Sequence, residues 1–339
     1  MKKILLITHQ KDNFSIEKVS NYLNELGAEV VRFNSDLYPS AITVSQSFNN
    51  RGIKTIIEID NKEYLLNEFE AIWYRRLFLG QALDPNIPKD YRNPILEESR
   101  RVIYGIMETT DVFKLDDYRT VRRTSDKHLQ LKTALECGLS IPNTLVTNSA
   151  NELTRFYNKI PTGIISKMQS SFAIYEDGKE NVVFTNTVEP QHMINLEGLQ
   201  ISPMKFQEKI EKRLELRVTV VGDEIFCFSI DSQAMDGAQI DWRKKGGALL
   251  NKWKSHKLPK GLEKQLLQLM DILGLNYGAM DLILTPENEY VFLEVNPVGE
   301  FFWLDNLAQG AISEAIAKLL MGNGKRRIKN VPKLKINES

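Results

Sequence analysis

The sequence predicts an α/β (α+β) protein that opens on a Rossmann-like unit. A buried strand, an amphipathic helix and a second strand follow one another over residues 4–33. Paired apolar runs around turn residues read as antiparallel hairpins at 214–232 and 278–297. An amphipathic helix closed by a glycine separates those hairpins. At 339 residues the chain has room for two or three domains.

Taken in order, residues 4–8 form the first strand. Ser15 caps a helix that buries Val19, Tyr22, Leu23 and Leu26 and ends at Gly27. Residues 28–33 are the next strand. This β-α-β opening lacks GxGxxG, so no dinucleotide is implied. Residues 52–59 and 63–66 pair as a hairpin, 71–76 is a strand and 95–109 a helix. Composition shifts over 113–126, where Asp116, Asp117, Arg119, Arg122 and Arg123 cluster, and a domain boundary is placed there. Ser125-Asp126 caps a helix that carries Lys127, Leu131 and Leu135 and stops at Gly138. Strands are expected at 144–146, 164–168 and 204–209. A hairpin is expected over 172–185 around the acidic turn 176–180. The strand from Leu214 puts Glu215, Arg217 and Thr219 on one face. Leu262, Leu266, Leu269, Met270 and Leu273 line one side of a helix ended by Gly274. A last helix spans about 310–321, and the basic segment from Lys325 to Ser339 is expected to be loosely ordered.

Lysine plus arginine equals aspartate plus glutamate, 44 of each, so the formal net charge is zero. That balance gives no support for a nucleic-acid or anionic-membrane partner. Cys137 and Cys227 lie outside any CxxC spacing and read as buried small apolar residues. The start of the chain resembles a signal peptide only superficially, because the apolar run is short and His9-Gln10-Lys11-Asp12 follows. No apolar stretch reaches membrane-spanning length, and the expected location is the cytoplasm. None of the four histidines has a partner at metal-binding helical spacing, so zinc is not expected. The GxSxG and P-loop patterns are absent.

Asp281, Glu294 and Asn296 are the most informative polar residues. They stand in two apolar runs, 278–284 and 291–297, joined by a polar turn. Pairing Leu284 with Val291 places Asp281 opposite Glu294, and Glu294 shares a face with Asn296 two residues on. Carboxylates inside apolar strands are costly unless paired or bound to metal. Hard oxygen ligands suit magnesium, which is held by one or two carboxylates together with substrate phosphates. Lys127 and Lys167, each alone, read as snorkelling side chains. Beside a magnesium site they supply the cations that a nucleoside triphosphate needs. Arg217 reads equally as a cross-strand partner of Glu215, and Arg243, in a glycine-bearing loop, as a solvated surface residue.

The order helix-Lys127, strand-Lys167, Gln207-Glu208, strand-Arg217, loop-Arg243, then Asp281 and Glu294-x-Asn296, resembles the ATP-grasp fold. More narrowly, Trp73-Tyr74-Arg75-Arg76, residues 172–175 and 195–200, Leu214-Glu215-Leu216-Arg217, Asp241-Trp242-Arg243-Lys244 and the block Glu294–Trp303 resemble graspetide synthetases. These are ATP-grasp macrocyclases of microviridin-type ribosomal peptides. The resemblance reaches residue 322 and is most specific at 241–244 and 294–303.

It implies an N-terminal pre-ATP-grasp domain over 1–115 and a central subdomain over 116–200, with a leader-binding hairpin at 172–185. A C-terminal subdomain follows over 201–325, and a tail over 326–339. It further implies that Lys127 and Lys167 contact ATP phosphates and that Gln207, Glu208 and Ile210 meet adenine. Asp281, Glu294 and Asn296 would hold Mg2+, and Arg217 and Arg243 would stabilise the activated carboxylate. The implied substrate is a precursor peptide of leader plus core, the implied assembly a homodimer, and the implied product an ω-ester to Thr or Ser. An ω-amide-forming cyclase, another ATP-grasp carboxylate–amine ligase and a non-catalytic peptide-binding protein stand as alternatives.

Overall fold

The structure, a computed structural model, describes residues 1–169, 173–176, 179–182, 185–233 and 252–327. The chain opens with β1 (Lys2–Thr8), α1 (Ser15–Glu25) and β2 (Ala28–Asn34). Ile4 to Ile7 are all buried, the continuous apolar run of a strand covered on both faces. Ser15 is the first residue of α1 rather than its cap. Its backbone N–H and its hydroxyl both donate to Asn13 Oδ1. Next come β3 (Ile42–Asn49), β4 (Gly52–Ile59) and β5 (Lys62–Leu65), an antiparallel sheet in that order. The β4–β5 hairpin matches expectation. β3 escapes a sequence reading because Ile42 is its only buried residue. β6 (Phe69–Tyr74), α2 (Lys89–Thr109) and β7 (Phe113–Leu115) complete a parallel sheet ordered β2-β1-β6-β7. α2 extends past Pro94 to Lys89 instead of beginning at 95.

The middle of the chain forms α3 (Tyr118–Thr124), α4 (Lys127–Glu136), β8 (Thr144–Thr147), α5 (Ala150–Lys159), β9 (Ile164–Lys167), β10 (Ala173–Glu176), β11 (Lys179–Val182), β12 (Asn186–Thr187) and β13 (Met204–Glu208). Four of these strands make an antiparallel sheet ordered β12-β9-β13-β8, and β10 pairs with β11 as a hairpin inside the expected segment. α5 was not expected: it buries only Leu153, and its start is marked by Ser149, whose Oγ accepts from Glu152 N–H.

Asp126 caps α4 as predicted, its carboxylate accepting from Leu129 N–H at 2.9 Å. The apolar Leu131 and Leu135 do not form the buried face of α4. Leu135 is 60% exposed, whereas Gln130, Thr133 and Ala134 are buried. A hydrogen bond decides that orientation, as the next strands show.

The C-terminal part comprises β14 (Leu214–Val221), β15 (Glu224–Ile230), β16 (Lys254–Ser255), α6 (Lys260–Leu273), β17 (Tyr277–Leu284), β18 (Tyr290–Asn296), α7 (Phe302–Leu307) and α8 (Ala311–Leu320). Its strands form an antiparallel sheet ordered β16-β15-β14-β17-β18. The predicted stripe of α6 packs on one face of that sheet, and Gly274 takes the left-handed conformation, φ +73°, that ends the helix. α8 covers the opposite face and meets α1. Gln130 of α4 reaches β18: its amide donates to Val295 O at 2.8 Å and accepts from Val295 N–H at 3.1 Å. This buried pair fastens the helix bearing Lys127 to the strand bearing Glu294.

Two further ties join distant parts of the chain. Asp116 is buried and accepts from the backbone N–H groups of Asn276 and Tyr277 and from the Asn276 side chain. Burial pushes its carboxyl up to about 6, against those hydrogen bonds. The second tie corrects the expected loose tail at its start. Arg326 donates to Leu319 O and Leu320 O and stacks over Phe113, while Arg327 pairs with Asp271 and donates to Gly222 O.

Gln130→Ala should cost about 2 kcal/mol or more in chemical denaturation, because it strands the N–H and C=O of Val295 in a buried site. Asp116 sets a pH signature. Between its ordinary pKa, 3.8, and about 6 the folded chain keeps a proton that the unfolded chain has lost. Its contribution to stability therefore falls as pH rises through that window and is constant above it. The wild-type minus Asp116→Asn difference in unfolding free energy should show this fall between pH 4 and 6.

Candidate active site

β17 and β18 bring the acidic residues together. Leu284 faces Tyr290 and Ile283 faces Val291, one residue away from the pairing that places Leu284 opposite Val291. A bulge at Leu293 then restores the predicted pair, Asp281 opposite Glu294. Bulges re-aim side chains in this way beside functional sites. Asn296 lies opposite Ala279 and is exposed, its side-chain oxygen accepting from Val298 N–H at 3.0 Å.

Each carboxylate has a cation. Arg217 faces Asp281 across the β14–β17 ladder and pairs with it at 2.7 Å. Lys127 pairs with Glu294 at 2.9 Å. The Glu215 alternative for Arg217 is not realised, since Glu215 takes Lys212 at 2.9 Å and the Ser232 hydroxyl at 2.6 Å. Burial alone would lower the Arg217 guanidinium, but the adjacent Asp281 carboxylate more than reverses this and raises it. Arg217 also lies over the Trp303 ring and donates to Glu300 O.

A cavity of about 470 Å³ adjoins these pairs. Lys167, Gln207, Glu208, Ile210, Asp281 and Glu294 all line it. Lys127 lines an adjoining cavity that shares Pro142 with the first. Gln207 is buried and donates to Thr144 Oγ1 at 2.9 Å, while the Glu208 carboxylate accepts from the Asn143 amide at 2.7 Å. Arg243 lies outside the described residues.

The donor set of Asp281, Glu294 and Asn296 is all oxygen and fits a hard divalent cation. Among the described residues no group of three His, Cys, Asp or Glu side chains could hold a metal. A cation here would therefore rely on the Asn296 amide and on oxygens of a bound ligand as well as the two carboxylates.

The N-terminal residues reach the same region. Arg75 is buried, donating to Val298 O at 2.8 Å and to Glu300 Oε2 at 2.6 Å. Arg76 pairs with the other Glu300 oxygen, and the Asn13 amide donates to Glu300 at 2.8 Å. Gly299 lies within this knot. A Cβ there would meet Ala279 Cβ at 2.5 Å and Arg217 Nη2 at 2.9 Å.

Comparison with known proteins agrees with this geometry. Residues 3–122 match the family described as the MvdD pre-ATP grasp domain. A RiPP-associated ATP-grasp ligase of Chryseobacterium gregarium, solved with ADP and a leader and core peptide, shares 43% identity at a TM-score of 0.94. The match covers 98% of this chain and 100% of that one. The macrocyclase MdnC of Microcystis aeruginosa MRC, solved with the precursor peptide MdnA, shares 40% identity at a TM-score of 0.84, over 94% of this chain and 99% of that one. The α-aminoadipate–LysW ligase LysX of Sulfurisphaera tokodaii shares 25% identity over 58% of this chain and 67% of its own. This chain belongs to the graspetide synthetases. It is an ADP-forming ligase with the ATP-grasp fold.

Several residues that shape the synthetase's site escaped the sequence reading. Gln130 carried no signal, since a lone glutamine among apolar helix residues reads as solvent-facing. Lys212, which lines the cavity, and Ser232 are brought to Glu215 only once the β14–β15 hairpin forms. Lys205 did carry a signal, a lysine between Met204 and Phe206 in a strand, the same pattern as Lys167. It is 5% exposed and sits opposite Lys167 in the β9–β13 ladder. Burial, with the nearby Lys167, pushes its ammonium down to about 8.

Gly299→Ala should destabilise the synthetase by about 1–3 kcal/mol in a denaturant melt, because neither Ala279 nor Arg217 has room to retreat. It should also depress turnover by shifting Arg217 off Asp281.

Proposed function

We propose that this synthetase uses ATP to close rings within a ribosomally made precursor peptide, forming ω-esters from Asp or Glu side chains to Thr or Ser. The observation that carries the reading is the convergence of Lys167, Asp281 and Glu294 on one cavity, with Lys127 and Arg217 paired to the two carboxylates. The full-length likeness to ligases held with precursor peptides supports a peptide as the substrate.

The reaction balances as follows. A carboxylate oxygen of the core peptide attacks the γ-phosphorus of ATP, and ADP leaves. The hydroxyl oxygen of the same peptide then attacks the acyl carbon, the C–O bond to phosphate breaks, and the hydroxyl proton is lost. One water's mass leaves the peptide for each ring. Lys127 and Lys167 contact the phosphates and draw off negative charge as it moves to ADP. Gln207, Glu208 and Ile210 edge the adenine end of the cavity. Asp281, Glu294 and Asn296 would hold Mg2+, which supplies charge neutralisation between neighbouring phosphates. Arg217 orients Asp281 and, with Arg243, would stabilise the acyl phosphate. Holding carboxylate and phosphate together converts the first step into a near-unimolecular one.

The domains follow the same reading, with 1–115 as the pre-ATP-grasp unit, 116–200 as the central subdomain and 201–325 as the C-terminal one. The β10–β11 hairpin would take the leader. A homodimer and a cytoplasmic location complete the proposal. Among the described residues no helix is long and apolar enough to cross a membrane.

Co-expression with a candidate precursor and mass spectrometry tests the reaction. Each ring should remove one water, and hydroxide should open an ester but not an amide. A product that gains mass instead overturns cyclisation in favour of ligation. In Lys167→Ala, turnover should fall by about 10²-fold or more while leader-peptide affinity holds. Equal losses in both would count against the phosphate role.

A further inference from the structure

We propose that Lys205 is a third phosphate-binding cation of the nucleotide site, acting alongside Lys127 and Lys167. The inference rests on the nucleotide reading above and adds to it a residue that neither the trio nor the two lysines required.

The argument is one of charge. Lys205 lies on β13, directly opposite Lys167 on β9, so both side chains leave the same face of the sheet. Lys205 and Lys127 line the same adjoining cavity. Lys205 thus stands near two further ammonium groups and the Glu294 carboxylate, which is paired with Lys127 at 2.9 Å. Lys167 and Lys127 repel the Lys205 ammonium, and Glu294 attracts it. A buried ammonium in such company is unfavourable unless an anion joins it. Among the described residues no hydrogen bond or ion pair satisfies it. The β8 residue beside it, Val146, is apolar and offers no side-chain partner.

Lys205 is 5% exposed as a residue, and what it faces is the cavity it shares with Lys127. A polyphosphate supplies the missing charge and several acceptor oxygens at once. It would turn a repulsive cluster into a set of charge-assisted hydrogen bonds. The gathering of Lys127, Lys167 and Lys205 suits a multiply charged anion better than the single carboxylate of a peptide side chain.

The test compares full-length wild type, Lys205→Met, Lys205→Arg and Lys167→Met. Two quantities are read: ADP affinity by calorimetry, and melting temperature with and without ADP. Removing an unpaired buried charge should leave the nucleotide-free Lys205→Met protein melting at or above the wild-type temperature. Its ADP affinity should fall about 10-fold or more, the worth of one hydrogen bond between charged groups. The stabilisation by ADP should shrink with it, and Lys205→Arg should recover part of both. Leader-peptide affinity should not move.

ADP affinity of Lys205→Met within twofold of wild type, with Lys167→Met weakened, overturns the role of Lys205 and leaves the nucleotide site standing. A lowered melting temperature with an undiminished ADP shift marks a structural lysine and equally overturns it. Wild-type protein that takes up no ADP overturns both readings. Should Lys205→Met not fold, Lys205→Gln is read by the same criteria.

Discussion

The Arg217–Asp281 pair is the interaction on which the rest of the site depends. Asp281 lies in the middle of a strand whose neighbours are buried, and without a partner its charge would oppose folding. Arg217 stands directly across the ladder and is itself almost wholly buried. The two therefore justify each other's position. Arg217 also donates to the backbone at Glu300 and lies over Trp303. It links the acidic strand to the segment that follows it. Buried pairs of this kind add little net stability but punish removal of either partner. The arrangement is better understood as fixing where the carboxylate points.

Glu300 extends that logic to the N-terminal sheet. Its carboxylate gathers Asn13, Arg75 and Arg76, while its own backbone oxygen accepts from Arg217. A single residue thus connects the β1–β6 end of the first sheet with the acidic pair. Asp116 and Arg327 make comparable connections between the β7 end, the start of β17 and the β14–β15 turn. The N-terminal unit is held at several points around the C-terminal sheet, and the site is positioned by contacts from both.

Much of this was legible in the residues. The β-α-β opening, the β14–β15 hairpin, the α6 stripe and the facing of Asp281 and Glu294 all follow from short-range periodicity, which is a strong signal where one face is buried. What failed to show has physical reasons. β3 and α5 are periodic, but each fully buries only one residue, Ile42 and Leu153, and their other apolar residues are partly covered, so their signal is weaker than that of α6. The orientation of α4 is set by one buried glutamine satisfying a backbone of distant sequence, which outweighs the two leucines that suggested another face. The bulge at Leu293 shifted the register at the turn end of the hairpin, yet the pairing at its functional end was unaffected. Lys205 was readable in principle, but a lysine in a strand carries meaning only once its cross-strand neighbour is known.

The charges of the site are divided between two sheets that share no strand. Lys167 and Lys205 stand on the β9–β13 ladder, and Asp281 and Glu294 on the β17–β18 ladder. Lys127 belongs to the second group, because Gln130 fastens its helix to β18. A nucleotide touching both groups behaves as a removable rivet across the seam between the sheets. On the proposed nucleotide site, occupancy would stiffen the seam and departure of ADP would loosen it, so the mechanics of the seam would follow whether the ligand is bound.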